Sequence, residues 1–268
     1  MGIFETFLTQ QFLIFVLVLA RLGGLMTTAP IFGSQTAPVR IRGLLAVGMT
    51  LVVAPHFFGR PIAMPDSVLG MGILIAGEIL VGLAYALCLL IIFSGVQVAG
   101  QIIGQLSGMM LADVFDPTFD AQSPIFSQLL YMLSLAVFLL IGGHRMAVGA
   151  LLDTFQALPP GLATIGDSVP AALIHVLSES FTLGIRAVAP VMAALLLATL
   201  VMGLISRTLP QLNILAFGFG LNALILHSAL FLSLGGIAWT LQGEFEPVID
   251  HVHQAILEDA APRPANAE

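Results

Sequence analysis

Four charged residues lie inside long apolar runs: Arg21, Glu78, Glu179 and Arg186. A charge in such a setting is costly, so it pairs with an opposite charge or faces water. Two chemistries follow. The four could form ion pairs between helices or subunits, or Glu78 could be the proton or substrate site of a secondary transporter. The six histidines, His56, His144, His175, His227, His251 and His253, are scattered. His251 and His253 are two residues apart, which sends them to different faces of a helix and makes a poor zinc pair. Ser107-Gly108 could offer an intramembrane serine nucleophile, but it lacks the G-x-S-x-G setting that activates one. The chain contains no lysine, since all eight of its basic residues are arginine. A Walker A loop, a Schiff-base enzyme and a pyridoxal-phosphate enzyme each require that missing residue. The expectation is a protein with no catalytic residue, no metal and no cofactor.

Chemistry of another kind is concentrated in three places. Gly100, Gly104 and Gly108 repeat every four residues, as do Gln97, Gln101 and Gln105. On one helix the two rows lie on separate faces, about a hundred degrees apart. The glycine row suits close backbone approach. The glutamine row admits two readings, amide glue between helices or a polar wall beside an aqueous passage. Directly after it comes Met109-Met110-Leu111-Ala112-Asp113-Val114-Phe115-Asp116-Pro117-Thr118-Phe119. That segment is too apolar for water and too polar for lipid. It fits either a re-entrant packing element or a flexible plug, in which Met109, Met110, Leu111, Val114, Phe115 and Phe119 seal a pore. The third place is Gly203–Ile214, where a cation, a proline and two amides (Arg207, Pro210, Gln211, Asn213) form a compact junction between two apolar runs. Pro210 biases Leu209 away from helix, and the amides can satisfy the groups that abutting helix ends leave free.

The elements that must hold these groups are helices. Hydrophobic residues make up 58% of the 268-residue chain and charged residues 9%, with a mean hydropathy of +1.05. A soluble domain carries about a quarter charged residues. Several windows exceed the roughly 20 apolar residues that a bilayer-spanning helix needs, so the chain reads as all-α and polytopic. Phe7–Met26, Leu44–Val53, Val68–Leu106, Pro124–Gly142, Gly143 to about Ala157, Ala171–Ser206 and Leu212–Leu241 are the expected apolar or helical segments. Breaks fall at Pro30, Ala54-Pro55, Asp113–Ser123 and Pro159-Pro160-Gly161. Asp66-Ser67 and Ser168 are expected helix caps. Phe245, Val248, Ile249, Val252 and Ile256 mark a short amphipathic helix that would dock on a partner or a membrane surface. Residues 260–268 read as a disordered tail. Glu5, with no preceding cation, makes the first segment a retained helix rather than a secretory signal. Loop arginines do not set the orientation: Arg40, Arg42 and Arg207 fall on one side of a six-span scheme, Arg60 and Arg145 on the other. A net charge of −7 without a basic patch argues against nucleic acid. Cys88, the single cysteine, reads as a small core residue.

The order of these features resembles the FliR family, an export-gate subunit of bacterial flagella with counterparts in virulence secretion systems. The resemblance rests on Gly100–Gly108, Asp116-Pro117, Gly142-Gly143-His144, Ala189-Pro190, Gly203–Ile214 and Gly218-Phe219, and covers most of the chain. Gly220-Leu221-Asn222 departs from the proline and nearby lysine found in many members. The resemblance implies a FliP-like helical part over residues 1–165 and a FliQ-like helix pair with the amphipathic helix over 166–259. It implies helical hairpins built into a hetero-oligomeric gate with FliP-like, FliQ-like and FlhB-like subunits, in the bacterial inner membrane at the flagellar basal body. Unfolded export substrates would pass transiently. The plug reading of Met109–Phe119 corresponds to the family's plug-like loop, and Arg207, Pro210, Gln211 and Asn213 would form an assembly hinge. The Ser206–Pro210 spelling favours the flagellum over the injectisome, and a secondary transporter is the distant alternative.

Overall fold

The computed structural model describes residues 3–30, 38–60, 62, 64–65, 67–108, 125–208 and 214–260. The helices are α1 (Ile3–Thr28), α2 (Val39–Val53), α3 (Val68–Leu106), α4 (Ile125–Leu140), α5 (Gly143–Ala157), α6 (Ser168–Thr208) and α7 (Ile214–Ala260). A 3-10 turn, Ala54–Phe57, follows α2, and no strand occurs among the described residues. Five helices are long and apolar enough to cross a membrane, or six if α4 and α5 together make one broken span. The chain is an all-α, multi-pass membrane protein.

Local rules explain the helix ends. Ser67 Oγ accepts the amide of Gly70 at 3.1 Å and caps α3. Pro55 sits at the start of the 3-10 turn, where its missing N–H costs nothing. Gly142 (φ +76°) and Gly161 (φ +89°) supply the left-handed turns that bracket α5 and its following loop. At α6 the capping group is unexpected: the Asp259 carboxylate accepts the amides of Gly166, Ser168 and Val169 at 2.8–3.2 Å. Pro190 and Pro247 lie inside α6 and α7. Pro247 can donate nothing to the carbonyl of Gly243, yet α7 continues through it.

The chain forms two compact units, neither of them a single stretch of sequence. One comprises Met1–Ile91, Gly142–Val176 and Glu246–Glu268, the other Ile92–Ile141 and Leu177–Phe245. In the first, Ile14, Leu17, Leu22 and Leu25 of α1 are buried with Tyr85 and Cys88 of α3, Leu151 and Phe155 of α5, and Val252 and Ile256 of α7. Gly82 of α3 comes against the Arg21 backbone, and a methyl added at Gly24 would lie 2.7 Å from Ile79 O. In the second, the rings of Phe93, Phe138 and Phe245 meet at centroid distances of 4.9–5.7 Å.

One expectation is corrected here. The stripe Phe245, Val248, Ile249, Val252 and Ile256 does not form a separate docking helix. It is the last part of α7, and all five residues are at most 2% exposed. The sequence separates it at Gly243 and Pro247. Burial of five large apolar side chains, each contributing about 1.5–3 kcal/mol, outweighs the helix penalties of those two residues. Cys88 Sγ against Val248 O at 3.6 Å and Tyr85 Oη against His253 Nδ1 at 2.6 Å fix this segment on α3.

Candidate functional site

The glutamines stand on the second half of α3. Gln97 is half-buried, whereas Gln101 and Gln105 are exposed. Exposed Ser94 precedes them at helical spacing and extends the row to Ser94, Gln97, Gln101 and Gln105, a polar stripe of three turns. The tie from this row to a neighbouring helix runs through backbone: the Ser127 hydroxyl donates to the Gln97 carbonyl at 2.8 Å. An exposed amide row on an apolar membrane helix needs water or a polar partner.

The glycines divide into two kinds. A methyl at Gly100 would lie 2.5 Å from Ser127 Cα and 2.7 Å from Phe126 O, so this position admits the backbone of α4. At Gly104 the nearest atom is a Phe126 ring carbon at 3.8 Å, an ordinary contact. Gly108 has open space around it and φ +78°, so its glycine serves the turn that ends α3. Fourfold spacing conceals this difference. A tighter crossing has no signal in the sequence: Gly95 of α3 packs on Ser180, and a methyl at Gly184 of α6 would lie 2.5 Å from Gly95 O. Gly95 and Gly184 are 89 residues apart by their numbering, so no local pattern links them.

A second polar surface lies on α6. Ser178, Glu179, Thr182 and Arg186 are all exposed, and with Leu183 and Glu244 they line a 290 Å³ cavity. Arg186 Nη1 meets Glu244 Oε1 at 3.3 Å, with the side chains 63% and 31% exposed. Around this patch the same helix exposes apolar residues from Ile174 (68%) to Leu204 (67%).

The other two inlaid charges form one buried centre. Arg21 Nε donates to Glu78 Oε2 at 2.6 Å, Nη1 to Thr154 Oγ1 at 2.9 Å and Nη2 to Leu158 O at 2.9 Å. Its guanidinium lies 4.0 Å from the Phe155 ring centroid. Glu78 Oε1 accepts the amide of Gly161 at 2.7 Å, and both charged side chains are fully buried. Every charged atom of the pair has a partner, so this centre holds α1, α3, α5 and the 158–161 turn together.

Met109, Met110, Leu111, Val114, Phe115 and Phe119 lie outside the described residues, as do Pro210, Gln211 and Asn213. Arg207 occupies the last turn of α6 and is exposed. There its charge complements the helix carbonyl end. Ser107 is buried, and its hydroxyl donates to the Gly104 carbonyl at 2.7 Å. Among the described residues no group of three or more His, Cys, Asp or Glu side chains could hold a metal ion.

Residues 12–248 match the family model described as bacterial export proteins, family 1. The chain is 28% identical to the flagellar biosynthetic protein FliR of Caulobacter vibrioides, covering 90% of this chain and 96% of that one. It is 31% identical to the Escherichia coli protein of the same name, covering 76% and 77% respectively. It is also 27% identical to the secretion system apparatus protein SsaT of Salmonella typhimurium, covering 75% and 78%.

Proposed function

The chain belongs to the bacterial export proteins, family 1, and on that premise we propose how it works. It is a structural subunit of a type III protein export gate, with the flagellum as its favoured setting. In the inner membrane it forms part of the conduit through which unfolded flagellar proteins leave the cytoplasm. Its partners are FliP-like, FliQ-like and FlhB-like subunits, with residues 1–165 playing the FliP-like part and 166–259 the FliQ-like part. Of the expected tail 260–268, Ala260 belongs to α7 and the rest lies outside the described residues.

The observation that carries this reading is the extent of bare apolar surface. Helices of 39, 41 and 47 residues measure about 58, 61 and 70 Å at 1.5 Å per residue, against about 30 Å of hydrocarbon. On α6 alone, exposed apolar residues run from Ile174 to Leu204, about 45 Å of helix. Lipid can cover roughly two thirds of that length. The remainder needs protein, as a hetero-oligomeric gate provides. Exposed Gln101 and Gln105 then face either the passage or a partner's polar side chain. Arg207, Pro210, Gln211 and Asn213 serve as the assembly hinge, and Met109–Phe119 as the plug.

The transporter reading loses its main residue. A Glu78 carboxylate held by Arg21 and Gly161 has no exposed surface on which to meet a substrate. The SsaT similarity keeps an injectisome gate as a second reading, and loss of motility on deletion with other secretion intact selects the flagellum. The deciding experiment is gentle purification of the tagged chain from its own cells, followed by native mass spectrometry. A large complex with FliP-like and FliQ-like chains is expected. A monomer or plain homodimer, under conditions that preserve another assembly, would overturn the proposal. Deleting Met110–Phe119 should leave assembly intact and raise membrane conductance, and unchanged conductance would refute the plug.

A further inference from the structure

We infer that the start of α5 is a binding site for one anionic phospholipid, with the phosphate on Arg145 and His144 and an acyl chain in the adjoining groove. The groove is a 350 Å³ cavity lined by Met26, Leu45, Met49, His144, Arg145, Val148, Gly149 and Leu152. Its body is apolar, and its two polar side chains are adjacent in sequence at one helix end.

Among the described residues nothing compensates the positive end of this helix. Gly142 precedes α5 in a left-handed conformation, no side chain caps the helix start, and its first turn holds no acidic residue. The aligned peptide dipoles place about half a positive charge there. A cation is the wrong residue for such a position, yet Arg145 occupies it, and its Cδ folds back to 4.0 Å from where a Gly142 methyl would stand. Among the described residues no carboxylate meets Arg145. His144, half-buried, lines the same cavity, and among the described residues its inaccessible Nδ1 has no hydrogen-bond partner. A guanidinium, an orphaned imidazole nitrogen and a bare helix N-terminus share one need, an anion with several acceptor oxygens.

The groove decides what kind of anion. Leu45 and Met49 come from α2, whose other residues Val39, Leu44, Leu51 and Val52 are 61–78% exposed. The cavity therefore adjoins a helix whose outer face suits hydrocarbon. A lipid phosphate at headgroup level would cover the free amides at the start of α5. A free phosphate would satisfy the polar end and leave the apolar groove empty.

The test uses the full chain in its purified complex, offered equal amounts of phosphatidylglycerol and phosphatidylcholine with identical acyl chains, and read by native mass spectrometry. One retained phosphatidylglycerol per chain is expected, favoured roughly tenfold over phosphatidylcholine, the value of about one charge-assisted hydrogen bond. Arg145→Gln should remove that preference, and Arg145→Lys should restore part of it. A methyl added at Gly149 meets nothing within 4 Å, and Gly149 lines the groove, so Gly149→Leu is chosen to occupy it. That variant should lose both lipids while keeping Arg145. Equal retention of the two lipids, or indifference to both variants, would overturn the site. Competition by inorganic phosphate as effective as that by phosphatidylglycerol would reduce it to a free-anion site and refute the lipid.

Discussion

Two arginine–glutamate pairs, one in each compact unit, have opposite surroundings. Arg21–Glu78 is completely buried, and its remaining donors and acceptors are taken by Thr154, Leu158 and Gly161. Arg186–Glu244 is exposed, longer by 0.7 Å (3.3 against 2.6 Å), and lines an open polar cavity. The first pair closes the hydrogen-bonding needs of its unit. The second stands at the surface of a helix that also exposes large apolar residues from Ile174 to Leu204. Charge inside a hydrophobic run therefore has two meanings in this protein: an internal lock, or a surface waiting for water or a partner subunit.

The sharpest way to break that comparison is to remove half of the lock. Arg21→Met leaves Glu78 charged and unpaired in the core, a loss of about 3–5 kcal/mol. The variant should fail to accumulate in the membrane. The double variant Arg21→Met with Glu78→Leu removes both charges and should recover most of the accumulation, because an apolar pair of similar volume is often neutral. A double variant as poorly accumulated as the single one would mean that Thr154, Leu158 and Gly161 depend on the guanidinium itself.

A smaller effect is expected where backbones meet. Gly82 abuts the Arg21 carbonyl, so Gly82→Ala forces α1 and α3 apart beside the lock. Overpacking of this kind costs about 1–3 kcal/mol. The midpoint of thermal unfolding in detergent should fall, while Gly203→Ala, with open space around the added methyl, should leave it unchanged or raise it. Equal midpoints for the two variants would show that the α1–α3 crossing can yield at no cost.

These sites also mark how far the sequence could be read. Helix α3 is legible from end to end, because Ser67 caps it, Gly108 turns it, and no breaker intervenes. The long apolar runs of α1, α6 and the first part of α7 are legible for the same reason. The lock is legible only as misplaced charges: Arg21 and Glu78 are 57 residues apart, and both partners could equally have belonged to other subunits. The Asp259 cap is hidden by a separation of 90–93 residues from the amides it accepts. The last part of α7 misleads because Gly243 and Pro247 are strong local stop signals, whereas the burial that overrides them is tertiary. The glutamine row is visible as a row, but its exposure depends on which face α4 takes through Gly100.

The smallest expected effect on stability falls on the exposed pair, and there function should move instead. An exposed ion pair is worth about 0–1 kcal/mol and is screened by salt. Arg186→Gln should therefore leave the thermal midpoint of the isolated chain within about a degree or two, consistent with so small a term in a protein of this size. If the patch around Ser178, Glu179, Thr182 and Glu244 receives a polar partner, the same substitution should lower recovery of the assembled complex, and more so at high salt. If it borders water in the conduit, assembly should be unchanged while export of substrate falls. A variant with normal stability, normal assembly and normal export would leave Arg186 as an inert surface cation and dissolve the contrast with Arg21. A variant that unfolds like Arg21→Met would dissolve it from the other side, since the exposed pair would then be holding its unit together as the buried one does.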